Sequence, residues 1–277
     1  MSTQQPAPLD QNALWNGPGG QIWVAQQALL DGLFQPMADA LRNELPDTVT
    51  ELLDVGCGTG ASVLAAAEAL AGAHCTGIDI SAPMLALARE RAAAARRAID
   101  FVVADAQRHA FVPAGFDWIQ SRLGVMFCDD TAAAFANLHR AARPGAGLRF
   151  IAWRSADENP FMTTAERAIG DDLALPERAP GAPGQFAFAD GSRVQRLLQD
   201  AGWQDVEVVA LDLPCSIARD ALPTYVGQLG PMGLALRALP RAEADVLHAR
   251  ALAAFAPFIE GDRVRVDAAC WMIRARA

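Results

Sequence analysis

The chain has 277 residues, 52% hydrophobic and 20% charged, which suits one large core with a smaller satellite lobe. Its net charge of −9, with arginine as the sole basic residue type besides histidine and no basic run longer than Arg96-Arg97, disfavours a nucleic-acid substrate, because phosphate binding needs concentrated positive charge. Five dispersed cysteines without a CxxC pair disfavour a disulfide framework or a structural zinc site, and the absence of a long uncharged apolar run predicts no membrane span.

The first ten residues are polar and lack the basic-then-apolar order of a signal peptide, so a cytoplasmic location is expected. Residues 1–12 read as loosely attached. A turn at Asn16-Gly17-Pro18-Gly19-Gly20 precedes a helix over Gln21 to Phe34, where Ile22, Leu29, Leu30 and Leu33 recur near helical spacing. A strand is predicted over 51–55, a helix over 61–71, and a second strand from Cys75 to Ile80. Ser81 caps a further helix that carries Pro83 in its first turn and runs to about Arg97. Strands over 99–103 and from Asp117 to Gln120 follow. A helix from Thr131 to Ala142 stops at Arg143-Pro144-Gly145, and Leu148 to Trp153 is the fifth strand. Strands alternating with helices imply βαβ units and a parallel sheet.

After Trp153 the rhythm breaks. Residues 154–188 are rich in proline, glycine and acids, with a helical stretch near 160–173. Asp190 caps a helix to Ala201, Val206 to Leu213 alternates like a strand, and 217–258 reads as helix broken near Pro231 and Pro240. A final strand spans Arg263 to Ile273. These two late strands leave no room for a right-handed crossover, so they close the sheet as an antiparallel pair.

The most informative stretch is Leu52-Leu53-Asp54-Val55-Gly56-Cys57-Gly58-Thr59-Gly60, an apolar run ending in a glycine-rich turn before a helix. Glycine lets backbone approach a ligand closely, and Asp54 before the loop suits a cationic or hydroxyl-bearing ligand better than a phosphate. Gly56-x-Gly58-x-x-Ala61 also satisfies the loose dinucleotide pattern, with Asp79 at about the distance of a ribose partner. That leaves a nicotinamide-dependent oxidoreductase as an alternative. Three features tip the balance the other way: Asp54 two residues before the first glycine, Asp105 after the third strand, where a carboxylate can accept from an adenine amino group, and the late antiparallel pair.

With Asp54, the glycine loop, Asp79-Ile80, Asp105-Ala106 and Arg143-Pro144-Gly145-Ala146-Gly147, the chain resembles the class I S-adenosylmethionine-dependent methyltransferases. The match covers about residues 50–155, and the last motif departs slightly from the Pro-Gly-Gly of the family. The segment from Trp15 to Trp23 and Phe186-Ala187-Phe188-Ala189-Asp190 further resemble the ubiquinone/menaquinone-biosynthesis branch, which acts on small molecules. The resemblance implies a Rossmann-like, doubly wound α/β fold: a seven-stranded, mostly parallel sheet with an antiparallel closing strand and helical cap insertions. It divides the chain into an N-terminal helical lid segment (1–48) and a methyltransferase domain (49–277) with cap insertions at about 154–188 and 214–260.

The same resemblance implies S-adenosyl-L-methionine as cofactor and assigns roles to residues. Gly56, Cys57, Gly58 and Gly60 would carry its methionine part. Asp79 would hold both ribose hydroxyls, and Ile80 and Met84 would pack on the adenine. Asp105 would accept from the adenine amino group while Ala106 donates a backbone N–H. Ser121 and Arg122 would border the methionine end and the transferred methyl, and Trp23, with Trp15, would belong to a lid over the sulfonium.

Against these stand plainer readings: Asp79 as a helix cap, Asp105 as a turn residue, Cys57 as a packing residue, and Trp15 and Trp23 as core anchors. The segment Leu123-Gly124-Val125-Met126-Phe127-Cys128 carries no base or acid, so no catalytic residue is assigned. Tyr225 and His139 are candidates by chemistry alone. The expected function is methyl transfer to a small, largely apolar or aromatic acceptor, with a cofactor-binding protein lacking activity as the other alternative. The acceptor pocket is expected from the N-terminal helix and the two insertions. The sequence sets neither the methylated atom nor the oligomeric state.

Overall fold

The computed structural model describes residues 10–173, 175 and 181–277. Three consecutive helices open it: α1 (Gln11–Asn16), α2 (Pro18–Ala25) and α3 (Gln27–Asn43). The expectation of one helix from Gln21 is thus corrected. The Asp10 carboxylate accepts from the Asn12 and Ala13 backbone N–H groups and starts α1, while Pro18 needs no hydrogen bond at the first turn of α2. The predicted Asn16–Gly20 turn is only a break at Gly17 between two helices.

The βαβ rhythm follows as β1 (Glu51–Val55), α4 (Ala61–Ala69), β2 (His74–Asp79), α5 (Ala82–Ala94), β3 (Ile99–Val103), β4 (Phe116–Arg122), α6 (Thr131–Ala141) and β5 (Ala142–Trp153). Ser81 caps α5, accepting from the Met84 N–H. Strand β5 begins six residues earlier than the apolar run suggests. Arg143-Pro144-Gly145 follows the end of α6 as predicted but bulges within β5: the pairing jumps from Phe116–Ala142 to Trp118–Gly147, and Gly145 takes a positive φ between them.

The rest comprises α7 (Pro160–Ile169), α8 (Gly191–Asp200), β6 (Gln204–Ala218), α9 (Leu222–Gln228), α10 (Gly230–Leu236), α11 (Arg241–Ala253), the short β7 (Ile259–Glu260) and β8 (Arg263–Arg276). Asp190 caps α8 as predicted, accepting from the Ser192 and Arg193 N–H groups. The sheet order is β3-β2-β1-β4-β5-β8-β6, with β7 paired to β8. The first five strands are parallel, and β8 runs antiparallel between β5 and β6. This is the expected doubly wound sheet with an antiparallel closing strand. As a sheet edge, β6 tolerates Pro214, whose missing N–H would be costly in a central strand.

Leu52 and Leu53 are both fully buried, on opposite faces of β1. Leu52 packs with Val63, Cys75, Leu85 and Trp118; Leu53 joins the larger core with Met37, Ile119, Phe135 and Phe150. Burial on both faces fixes the central strand rigidly, and the strand order reverses between β1 and β4. A crevice opens at the strand C-termini at such a switch point. No helix among the described residues is long and apolar enough to cross a membrane.

Candidate active site

A cavity of about 350 Å³ lies at that crevice, a volume in the range of small-molecule sites. One wall is the loop after β1. Gly56, Gly58 and Gly60 all have positive φ, the region that suits glycine, and a Cβ on Gly58 would stand 2.7 Å from the Met84 methyl. Asp79, at the end of β2, closes the loop from beneath. Its two carboxylate oxygens accept from the Gly58 N–H and the Ser81 N–H, each at 2.8 Å. Burial raises its pKa, and these backbone donors oppose the shift. Each oxygen retains acceptor capacity for a further donor. Asp105 is tied at the end of β3 by the backbone and side-chain N–H groups of Gln107, each at 2.9 Å.

Of the thirteen residues predicted to hold a cofactor, ten line this cavity: Trp23, Gly56, Cys57, Gly58, Asp79, Ile80, Met84, Asp105, Ala106 and Arg122. Asp54, Gly60 and Ser121 stand behind its wall. Asp54 is wholly buried, with Oδ2 accepting from Gln120 Nε2 at 2.8 Å and the Ser62 side chain also favouring its charged form. Burial pushes its pKa up to about 6. The Ser121 hydroxyl donates to the Val55 carbonyl at 2.7 Å and accepts from the Gly124 and Val125 N–H groups, fixing the turn after β4. Gly60 starts α4 and lies against Ala88.

The opposite wall is aromatic. Phe127, Trp15, Trp23, Phe34, Trp153 and Phe161 form an unbroken ring-to-ring series with successive centroids 5.1–6.3 Å apart. Helix α1 is pinned over the β2–α5 turn: the Ser81 hydroxyl donates to the Trp15 carbonyl at 2.6 Å, Asn16 Nδ2 to the Ile80 carbonyl at 2.9 Å, and the Ala82 N–H to Asn16 Oδ1 at 3.0 Å. Phe34, Trp153, Met162 and Gln185 also line the cavity and escaped the sequence reading, since nothing local marks them.

Residues 214–260 supply no lining side chain. This corrects the expectation that they wall the acceptor pocket: α9–α11 pack on one another and, through α11, on α7, and Gln228 at the end of α9 accepts from Gln26 Nε2 at 2.9 Å. Neither chemical candidate for a base reaches the cavity. His139 stacks edge-on against Trp203, and Tyr225 packs against Phe255 with its pKa raised by burial. Cys57 and Cys128 line the cavity, but burial raises both thiols, Cys128 to about 12, so neither is a ready nucleophile. Among the described residues no cluster of acids, histidines and cysteines could hold a metal ion.

A methyltransferase-domain family model matches residues 52–145. A malonyl-[acyl-carrier protein] O-methyltransferase of Enterobacter lignolyticus is 34% identical over 185 residues, covering 60% of this chain and 70% of that one. The chain belongs to the class I S-adenosylmethionine-dependent methyltransferases. A ubiquinone biosynthesis O-methyltransferase of Aromatoleum aromaticum is 29% identical, covering 58% of this chain and 66% of that protein. Among solved structures, phosphoethanolamine N-methyltransferase 2 of Haemonchus contortus, in complex with S-adenosyl-L-methionine, superposes with a TM-score of 0.52 at 20% identity, over 94% of this chain and 53% of that one. That similarity bears on the fold alone. This methyltransferase uses S-adenosylmethionine, and membership of the family sets aside the nicotinamide-dependent alternative.

The residues present suit that cofactor. The glycine cradle leaves no room for a side chain, two carboxylates sit where hydroxyl and amino donors are expected, and aromatic faces favour a cation. When bound, S-adenosylmethionine supplies a methyl group on a positively charged sulfur, open to direct displacement. The protein's part is to hold the partners in line and exclude water.

Proposed function

We propose that the enzyme methylates a small, largely apolar or aromatic molecule, and that this acceptor enters against the aromatic wall. The observation that carries this reading is the division of one continuous cavity. Carboxylates and glycine backbone line the side formed by β1–β3, while Trp15, Trp23, Phe34, Met126, Phe127, Trp153 and Met162 line much of the rest. The ubiquinone-biosynthesis name of one relative supports an aromatic acceptor.

In this proposal Asp79 holds the ribose, Ile80 and Met84 flank the adenine, Asp105 and Ala106 meet its polar edge, and Gly56, Cys57 and Gly58 carry the methionine portion. Trp23 faces the sulfonium and Arg122 borders the methionine end. Asp54, Gly60 and Ser121 act at one remove, shaping the loop and the turn after β4. Of the expected lid segment 1–48, residues 1–9 lie outside the described residues, and 10–48 serve as the lid on a domain spanning 49–277.

The cavity lining contains no histidine, lysine or tyrosine among the described residues. An acceptor that is already nucleophilic near neutral pH therefore suits it best, because no strong base stands ready to remove a proton. A small molecule in the cytoplasm fits this picture better than a nucleic acid, given the net charge of −9.

The test is a screen of phenols, quinols and amines beside sugars and nucleotides, with S-adenosylhomocysteine release as the readout. Turnover confined to apolar and aromatic acceptors is expected. Turnover confined to sugars or nucleotides would overturn the proposal.

A further inference from the structure

A second cavity, of about 370 Å³, lies between the segment joining β3 to β4 and one face of α6. It adjoins the first, since Gln107 and Arg108 line both. Its remaining walls include His109, Phe111, Pro113, Asn137 and Arg140, and no acidic side chain is among its lining residues. In a chain of net charge −9 this is a local reversal of sign.

The cavity is built around a buried amide. Asn137 is 6% exposed, and its Nδ2 donates to the Ala106 carbonyl at 2.8 Å and the His109 carbonyl at 2.9 Å, holding both ends of that turn. Its Oδ1 accepts from Arg140 Nη2 at 2.8 Å, so the same side chain fixes one edge of a guanidinium one turn along α6. A guanidinium carries five N–H donors, and among the described residues no carboxylate pairs with Arg140. Arg108 is 86% exposed, and the carboxylate it meets, Asp105, stands 4.0 Å from its Nε. That carboxylate lines the first cavity, and its Oδ1 is taken by Gln107. Two guanidiniums and the His109 imidazole thus share one cavity with no acid to neutralise them. Phe111, edge-on to His109 at 4.6 Å and to Phe116 at 6.2 Å, gives it an apolar side together with Pro113.

We propose that this second cavity binds a phosphate group, inorganic or carried by a small organic molecule, with Arg108 and Arg140 as its receptors. One arginine comes from the β3–β4 segment and the other from α6, so their forks approach from two elements. A single fork satisfies a carboxylate, whereas a phosphate dianion has oxygens enough to accept from two. The volume is that of a small-molecule site, and the side formed by Phe111 and Pro113 suits an organic substituent. The site is separate from the cavity assigned to cofactor and acceptor, and it stands whatever the acceptor is.

The test is calorimetric titration with inorganic phosphate, phenyl phosphate and benzoate at constant ionic strength, on protein saturated with S-adenosylhomocysteine. Saturable binding of phosphate or its phenyl ester is expected. R108M and R140M should each weaken it about tenfold and the double variant about 100-fold, the range of hydrogen bonds to charged groups, while thermal melting shows a folded protein. R140K should keep part of the affinity. Arg140 lines the second cavity and not the first, so R140M should leave S-adenosylmethionine affinity within about twofold. Tighter binding of phenyl phosphate than of phosphate identifies a phosphorylated small molecule as the source, and equal binding identifies free phosphate; both support the site. Absence of saturable binding, or affinity unchanged in the double variant, overturns it. Benzoate bound as tightly as phenyl phosphate overturns the assignment to phosphate. Loss of S-adenosylmethionine affinity in R140M matching the loss of phosphate affinity would place this arginine in the service of the first cavity and overturn the second site.

Discussion

The two walls of the cavity are built by different means. The wall proposed to hold the nucleoside (the nucleoside wall) is assembled from short segments at successive strand ends: Gly56–Gly58 after β1, Asp79-Ile80 at β2, Asp105-Ala106 after β3. Each segment follows its strand directly, so a parallel sheet brings them together. The aromatic wall gathers single side chains from α1, α2, α3, β5 and α7, elements spread over nearly 150 residues. The first wall is mostly backbone and carboxylate with local constraints, while the second is side-chain surface with none. A change in the first should therefore affect the cofactor, and one in the second the acceptor.

The sharpest way to break this division is Asp79→Ala. It removes the acceptor for two backbone N–H groups and the proposed ribose partner together. Affinity for S-adenosylmethionine measured by calorimetry should fall by about 100-fold or more. Unchanged affinity would remove Asp79 from the nucleoside wall.

Trp153→Leu probes the other wall, where Trp153 is 2% exposed between Phe34 and Phe161. Steady-state kinetics should show the acceptor KM raised about tenfold, the scale of a hydrophobic-pocket defect. The cofactor dissociation constant should stay within about threefold. A cofactor effect larger than the acceptor effect would merge the two walls into one functional unit.

Asp54 gives a smaller effect, read in stability rather than binding. Its folded pKa of about 6 exceeds the ordinary value of 3.8, so the folded protein holds an extra proton between those two pH values. Its favourable contribution is complete below the unfolded pKa and lost as pH rises through 6, a change of up to about 3 kcal/mol. Asp54→Asn should remove that slope. The melting-temperature difference between variant and wild type should therefore favour the variant more at pH 8 than at pH 5; parallel curves would show that Asp54 stays ionised throughout.

The smallest effect belongs to His74, remote from both walls, where its exposed ring meets Glu51 and Asp100 at 2.9 Å each. These partners raise its pKa, so its contribution is present below about 6.5 and lost as pH rises through the folded value. Solvent screening keeps it below about 0.5 kcal/mol. His74→Ala should change the pH 5 melting temperature slightly and leave cofactor affinity alone. A binding defect would extend the nucleoside wall's influence to the far end of its strands.

The legibility of the sequence follows the same division. Glycine turns, Ser81 and Asp190 each leave a local mark because their backbone geometry demands those residue types, and they delimit most of the elements. The glycine loop, Asp79 and Asp105 are legible as cavity lining for the same reason. Asp54 was assigned to the ligand because spacing says nothing of side-chain direction. Alternation along β1 turns it to the α4 face, where Gln120 bonds it. Phe34, Trp153 and Met162 look like any core residue in a helix or strand, and only the folded chain turns them into cavity wall. The insertion at 154–188 does reach the cavity through Met162 and Gln185, whereas the one at 214–260 misled for a related reason. Its apolar residues, such as Met232 and Leu236, fill a core that α7 and α11 share. The ends of β5, β6 and β8 were underestimated because strand pairing, rather than propensity, extends them.

The position of β8 also sets an order of assembly during synthesis. Strand β6, delivered at residues 204–218, has no strand neighbour in the sheet except β8, delivered at 263–276. On a ribosome working from the N-terminus, the glycine loop, both proposed nucleoside carboxylates and Trp153 emerge while β6 still lacks its partner. Until β8 slots between β5 and β6, each of those strands presents an unpaired edge. The nascent protein thus carries its proposed cofactor motifs well before this sheet can close, and the interval in which those two edges are exposed to misassociation ends with β8.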